Sequence, residues 1–370
     1  MKNKIIRSFK GSPVIYIAAL IIIFAGVIYA KSIITPFLLA FFISIILAQP
    51  ISWLEKKRIP GWLALVIVML GSFMLFSGFA FLLGDSLSSF SGNLSKFEST
   101  LTKMSNDVIQ YLNGKGLNIR QDQLSSLVQP VKIFEFTASA VNKLFNMVGT
   151  TFLIFLIILF ILMEFGSFSI KAIVFQGRPD KSSHYFSSIL RNIRNYLGIK
   201  TLLCLTIGIL IYFTLLIIGV DYPLLWALVA GITYYIPNIG SIISMIPTVL
   251  FALVQLGLGG ALWTLGSCTL IHVVIGSIME PRIMGKGLGL STLVVFLSLV
   301  FWGFILGIVG MILSVPITMT IKIILEQNEK TKWLAILLGT PAEANTYLAN
   351  KELIEQARKE EQQNIDVNPF

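Results

Sequence analysis

This chain of 370 residues has the composition of a membrane protein, with 55% hydrophobic residues, 12% charged residues and a mean hydropathy of +0.84. These values exclude a soluble core and predict an all-α protein that crosses the bilayer several times. The net charge of +10 could suggest a nucleic-acid partner. The basic residues lie mostly in short loops between apolar runs, however, so membrane topology explains them and no nucleic acid is expected.

No motif of a nucleotide-dependent or metal-dependent enzyme is present. The chain has no phosphate-binding GxxxxGK[ST], no HExxH and no CxxC, and Cys204 and Cys268 each sit within an apolar run. We therefore expect no catalytic residue, no metal, no cofactor and no disulfide framework.

Residues 1–83 are predicted to form three membrane helices. A basic N-terminus precedes the apolar run Pro13–Ala30. We interpret this run as a retained helix and not a cleaved signal peptide, because it is long and lacks a small residue three positions before its end. Ile33–Ile51 and Trp62–Leu83 are the second and third spans, separated by the basic turn Glu55–Arg58.

Residues 84–149 differ from the rest in having nearly balanced charge and a seven-residue apolar repeat, which begins Leu87, Phe90, Leu94. The pattern breaks at Asn113–Gly116 and then resumes. It predicts two long amphipathic helices in an antiparallel hairpin outside the bilayer. Either the two helices cover each other, or they offer a surface to partner subunits.

Residues 150–166 form the predicted fourth span, and residues 167–200 a basic link to the fifth span, Thr201–Val220. The N-terminus, the turn at 55–58 and this link are all basic and fall on one side of the membrane. The positive-inside rule makes that side cytoplasmic. Both termini are then cytoplasmic, and the helical hairpin is external.

Residues 201–326 are predicted to be a core of interrupted helices. At about 1.5 Å per residue, Leu224–Ile236 is too short to cross a hydrocarbon layer of about 30 Å. The next runs are Ile242–Leu258, which contains Pro247, and Ala261–Met279; Glu280–Leu290 is predicted to be an irregular loop. Interrupted helices leave backbone groups free at depth, and in transporters such groups line a water-filled cavity.

The last apolar pair, Thr292–Ile305 and Ile308–Leu325, is short enough to suggest a re-entrant hairpin. Residues 327–370 follow as a cytoplasmic polar tail, for which we expect no chemistry.

The chain resembles the bacterial autoinducer-2 exporter (AI-2E) family of transporters over roughly residues 10–330. The resemblance rests on Tyr235-Ile-Pro-Asn-Ile-Gly240-Ser and Glu280-Pro-Arg-Ile-Met-Gly285, supported by the segment Arg191–Lys200 and by Gly303–Gly310. It implies about eight membrane segments in the bacterial cytoplasmic (inner) membrane and export of small signalling molecules or other small solutes. Some relatives resemble sodium or lithium/proton antiporters. A homo-oligomer is also implied, with a pentamer as one candidate.

The predicted substrate-binding residues are Pro237, Asn238, Gly240 and Ser241. An amide, an open backbone and a hydroxyl directly after a proline break are suited to hydrogen-bonding a polyol or an anion. The alternative is that these residues only cap the broken backbone.

The predicted gating or ion-coupling residues are Glu280, Arg282, His272 and Asp221, because a charge within the membrane is a functional hypothesis by default. Glu280 and Arg282 could instead neutralise each other at the interface. His272 could be a hydrogen-bonded packing residue, and Asp221 lies in a turn between Gly219 and Pro223.

These features favour a secondary transporter that exports small polar solutes by alternating access in a lipid bilayer. A sodium(lithium)/proton antiporter, with sodium or a proton as coupling ion, is the first alternative. An intramembrane hydrolase using Ser241 and His272, or a membrane scaffold without transport, is more remote.

Overall fold

The computed structural model describes residues 13–114, 151–176, 179–284, 289–328 and 330–349. No β-strand lies in these ranges, and five of their helices are long and apolar enough to cross a bilayer, with four shorter apolar helices beside them. Large apolar side chains such as Trp263 and Phe304 face outward, as expected where lipid and not water covers the surface. The prediction of an all-α polytopic membrane protein is confirmed.

The described part of the N-terminal half contains four helices. These are α1 (Pro13–Tyr29), α2 (Lys31–Lys56), α3 (Gly61–Gly114) and α4 (Thr151–Gln176). The third predicted span and the first arm of the predicted hairpin form one uninterrupted helix, α3. The described part of this helix extends to Gly114. The second arm of the hairpin and the basic N-terminus lie outside the described residues.

The C-terminal half contains shorter and more broken elements. These are α5 (Pro179–Ile218), α6 (Pro223–Thr233), α7 (Gly240–Val273), a π-helical segment (Val274–Met279), α8 (Glu280–Met284), α9 (Thr292–Leu306), α10 (Ile308–Glu326), α11 (Lys332–Leu338) and α12 (341–349). Helix α5 joins the end of the basic link to the fifth span without a break. The loop predicted from Glu280 is wrong for its first five residues, which continue the helix as α8.

Two interruptions shape this half of the chain. Helix α6 ends at Thr233, and α7 begins only at Gly240. Within α7 the backbone leaves helical values at Gly257, where φ is 72° and ψ is −168°. Glycine adopts this conformation without steric cost, so α7 bends sharply there. The chain therefore folds back beside the α6–α7 turn and brings the second half of α7 and α8 near it.

Apolar packing around α5 holds these elements together. Ile207, Ile211 and Leu215 of α5 are buried with Trp226 of α6 and Phe251 of α7. Phe90 of α3 also enters this cluster and makes ring contacts with Trp226 and Phe251. A second cluster joins the N-terminal part of α5 to α2 and α10. Helix α5 thus lies at the centre of the C-terminal half.

Candidate functional site

The turn between α6 and α7 satisfies its own backbone. The amide of Ile236 donates to the carbonyl of Thr233 at 2.9 Å, and the amide of Gly240 donates to the carbonyl of Ile236 at 3.1 Å. Asn238 adopts a left-handed conformation with φ of 62°, which asparagine tolerates better than most residues. The side chains of Asn238 and Ser241 make no hydrogen bond within the described structure, so backbone capping does not occupy them.

Gly240 is required at the start of α7 by close packing. A Cβ atom at this position would lie 1.8 Å from the carbonyl oxygen of Thr233. The bare backbone at Gly240 lets α7 begin directly against the end of α6. Its part in the site is therefore to allow this close approach of the two helices.

Glu280 is at the centre of a polar cluster formed by three elements. Its Oε1 lies 2.8 Å from Nζ of Lys200 on α5, and its Oε2 accepts a hydrogen bond of 2.6 Å from the hydroxyl of Tyr234. The ammonium of Lys200 also lies 4.2 Å from the ring centroid of Tyr234. The Lys200 side chain is 4% exposed and that of Glu280 is 22% exposed. A buried ammonium is tolerated only when it is paired in this way.

The π-helical segment just before Glu280 places this carboxylate. A π-helix adds a residue to a turn and often occurs at functional sites. Gly276 lies within the segment, and a Cβ atom there would be 3.2 Å from the Tyr234 hydroxyl. The absence of a side chain at Gly276 leaves room for the Tyr234–Glu280 hydrogen bond.

His272 lies beside this cluster and is not part of its hydrogen-bond network. Its ring stacks on Tyr234 with centroids 6.0 Å apart and an interplanar angle of 26°. Both ring nitrogens are buried and make no hydrogen bond within the described residues. A buried imidazole normally has a hydrogen-bond partner, so His272 is an exception among the described residues.

A cavity of about 580 Å³ opens beside the α6–α7 turn and the Lys200–Glu280 pair. Its volume is in the range of small-molecule sites. Val295 of α9 and Val315 of α10 are among its apolar lining residues. Its polar lining consists of Tyr196, Lys200, Tyr234, Asn238, Ser241, Thr269, His272, Ser277, Glu280 and Thr292.

The cavity brings together most of the residues singled out from the sequence. Pro237, Asn238, Ser241, His272 and Glu280 all line it. Gly240 is buried directly behind this wall.

Two of the predicted residues are not among the cavity lining. Arg282 is exposed on α8. Asp221 is exposed in the turn before α6, where its backbone amide donates to Gln255 at 2.8 Å. Within the described residues, no group of three His, Cys, Asp or Glu residues is arranged to hold a metal ion.

Sequence reasoning missed Lys200, Tyr234 and Tyr196. Lys200 ends a run of basic residues, which predicts that it belongs to the link, although it directly precedes the apolar run Thr201–Val220. A lysine that directly precedes the apolar part of a helix is a signal for a buried partner. The carboxylate of that partner lies 80 residues later in the chain.

A family model described as AI-2E family transporter matches residues 17–330. The chain is 36% identical over 326 residues to the Escherichia coli protein named "AI-2 transport protein TqsA", which covers 88% of this chain and 95% of that protein. Two further relatives carry the name "Putative transport protein". One, from Haemophilus influenzae, is 36% identical over 87% of this chain and 94% of its own length; the other, YhhT of Escherichia coli, is 32% identical over 87% and 93%.

These names are those of transport proteins and not of enzymes. The chain belongs to the AI-2E family of membrane transporters.

Proposed function

We propose that this protein is a secondary transporter that exports small polar solutes or signalling molecules, of the autoinducer-2 type, across the cytoplasmic membrane by alternating access. The observation that carries the proposal is the cavity of about 580 Å³ beside the interrupted helices α6 and α7. Solute sites at helix breaks are the common design of secondary transporters. The name of the relative TqsA supports the class of solute.

Asn238 and Ser241 are the proposed solute-binding side chains. Both line the cavity, and neither is used in a hydrogen bond within the described structure. An amide and a hydroxyl offer donors and acceptors without charge. A hydroxyl-rich solute would satisfy them.

The Lys200–Glu280–Tyr234 cluster is the proposed gate. The cluster ties α5, the end of α6 and the start of α8 together on one side of the cavity. A movement of α8 away from α5 would therefore have to separate the charges of Lys200 and Glu280. Lys200 and Glu280 neutralise each other, so the closed cluster presents no net charge to the solute.

The alternative is a sodium(lithium)/proton antiporter that uses Glu280. Both oxygens of its carboxylate have partners, so a cation would have to displace Lys200 or Tyr234. Asp221 is exposed in the turn before α6 and does not line the cavity, which leaves Glu280 as the only acid in the cavity wall described here. These contacts favour solute export as the leading proposal.

The two remote alternatives have less support. A hydrolase would need a hydrogen bond from Ser241 to His272, but neither nitrogen of His272 has a partner among the residues that the structure describes. A scaffold without transport gives no role to the cavity. We place both termini on the cytoplasmic side, because the basic residues of the sequence predict it, and propose a homo-oligomer, because the resemblance to the family implies one.

The experiment that tests the proposal is an uptake screen with purified protein in liposomes. Labelled small polar solutes, including autoinducer-2, are offered with an imposed sodium gradient, an imposed proton gradient or neither. The proposal predicts solute flux that Ser241→Ala weakens. Flux of sodium or lithium against protons without any solute would favour the antiporter, and no flux of any kind would favour the scaffold.

A further inference from the structure

Lys322, near the end of α10, is a second buried lysine and lies outside the cluster at Glu280. It is 5% exposed. Its ammonium donates to the carbonyl of Gly289 and to Oε2 of Glu343 on α12, the latter at 2.6 Å. A third acceptor, Glu326, lies one turn further along α10 at 3.4 Å.

These contacts join the C-terminal helices to the short segment in front of α9. Lys322 bonds Gly289 on one side of Leu290, and on the other side the amide of Ser291 donates to the carbonyl of Leu338 at 3.1 Å. Leu290 is therefore fixed from both sides. The hydrogen bond from Lys322 to Gly289 depends on Glu343, because Glu343 holds the ammonium of Lys322 in place.

Leu290 is itself part of the cavity wall. It lines the cavity, is 6% exposed and is buried with Leu313 and Val315 of α10. Gly289 has φ of 66°, and a Cβ atom there would lie 2.9 Å from Nζ of Lys322 and 3.0 Å from Oε1 of Glu343. The positive φ favours glycine at position 289, and the missing side chain leaves room for the charged ends of Lys322 and Glu343.

We propose that α11 and α12 act as a clasp that holds Leu290 in the cavity wall. The clasp would limit access to the cavity from the side of the membrane on which α11 and α12 lie. Lys322 is the positioning residue, and Glu343 is its releasable partner. This inference rests on the proposed transport cavity. It means that the C-terminal helices, for which the sequence predicted no chemistry, regulate access to that cavity.

The contacts explain how such a clasp could release. Removing the only partner of a buried ammonium is very costly. Glu326 belongs to the same helix as Lys322, so it stays close when α12 leaves. The side chain of Glu343 is 46% exposed and loses little hydration in the closed state. The ammonium can thus pass from Glu343 to Glu326 while remaining paired.

The test measures the access of a thiol reagent to residue 290 in the full chain. Leu290→Cys is introduced together with Cys204→Ala and Cys268→Ala, and the protein in liposomes is labelled with a charged maleimide. Slow labelling is expected when the clasp is intact. Glu343→Ala should accelerate it about tenfold, as expected for losing one hydrogen bond between charged groups.

Glu326→Ala is the matched control, because Glu326 is as exposed as Glu343 and pairs with the same ammonium at a longer distance. It should slow labelling and not accelerate it, because the closed contact with Glu343 remains and the released ammonium would have no partner. Gly289→Ala should accelerate labelling as Glu343→Ala does, and Lys322→Arg, which keeps the donors, should stay close to the parent. Equal rates in the Glu343→Ala and Glu326→Ala proteins would overturn the proposal.

The labelling rate requires no solute, so it separates this inference from the proposed function. Accelerated labelling in a protein that moves no solute would leave the clasp standing and remove the transport proposal. Unchanged labelling in a protein that transports solute would remove the clasp and leave the transport proposal standing. A thermal unfolding curve for each variant excludes a general loss of structure as the cause of faster labelling.

Discussion

Lys200 and Glu280 are 80 residues apart in the chain, yet their charged groups lie 2.8 Å apart beside the cavity. The pair joins α5 to α8 next to the interruption between α6 and α7. Tyr234 completes the cluster by bonding the second carboxylate oxygen. These three residues come from three elements, so a relative movement of the elements would break the contacts between them.

Glu280→Gln should disable transport and lower stability. The change keeps the shape of the side chain but leaves the ammonium of Lys200 without a counter-charge. We expect transport to fall at least tenfold and the free energy of unfolding to fall by about 2 kcal/mol. Flux and thermal unfolding in detergent measure the two effects. Arg282→Gln is the control, since Arg282 is exposed on the same short helix; equal loss in both variants would remove Glu280 from the gate.

Tyr234→Phe should separate the hydroxyl from the ring. The ring stays over Lys200, but the hydrogen bond to Glu280 is lost. Tyr235→Phe is the matched control, because its hydroxyl donates to Thr201 at 2.7 Å and it lines an apolar groove between α5 and α6 instead of the cavity.

Each of these tyrosine variants should lose about 1 kcal/mol of stability. Only Tyr234→Phe should slow transport, by a factor of about three to ten. The same transport rate in both variants would contradict the role given to Tyr234.

Asn238→Gly and Ser241→Ala should weaken solute binding without destabilising the fold. Neither side chain bonds the protein, and glycine accepts the φ of 62° at position 238. We expect KM to rise about threefold to tenfold in each variant, with Tm unchanged. Ser267→Ala, whose hydroxyl bonds the backbone of its own helix outside the cavity lining, should change neither value. A drop in Tm with unchanged KM would identify Asn238 or Ser241 as a capping residue.

Gly240→Ala should prevent correct packing of α7 against α6. The added methyl group would meet the carbonyl oxygen of Thr233, a backbone atom that cannot rotate away. We expect a loss of about 3 kcal/mol or more, seen as a low yield of monodisperse protein in size-exclusion chromatography. Gly259→Ala lies in open space and should behave as the parent. A normally folded Gly240→Ala protein would show that α6 and α7 tolerate separation.

The sequence was informative where local chemistry decides the structure. Apolar runs predicted an all-α membrane protein, and Pro237 with Gly240 marked the interruption between α6 and α7. The sharp bend at Gly257 falls next to the end of the predicted run Ile242–Leu258. These features depend on residues close together in the chain, so their pattern can be read directly.

The sequence was least informative where distant residues meet. Lys200 looked like part of a basic link, because nothing near it in the chain indicates its carboxylate partner. The pairing of Lys322 with Glu343 is hidden for the same reason, since the polar composition of the tail indicates no partner for it. The continuity of α5 through residue 200 also depends on packing with α6 and α10, which no local pattern reports.

The most direct test of the account is a reversible block of the cavity. Ser241→Cys is introduced together with Cys204→Ala and Cys268→Ala, and flux of the transported solute in liposomes is measured before labelling, after labelling with a bulky methanethiosulfonate, and after reduction. The account predicts that flux stops on labelling, returns on reduction, and that bound solute slows the labelling. Undiminished flux through the fully labelled protein would contradict the claim that solute passes through this cavity.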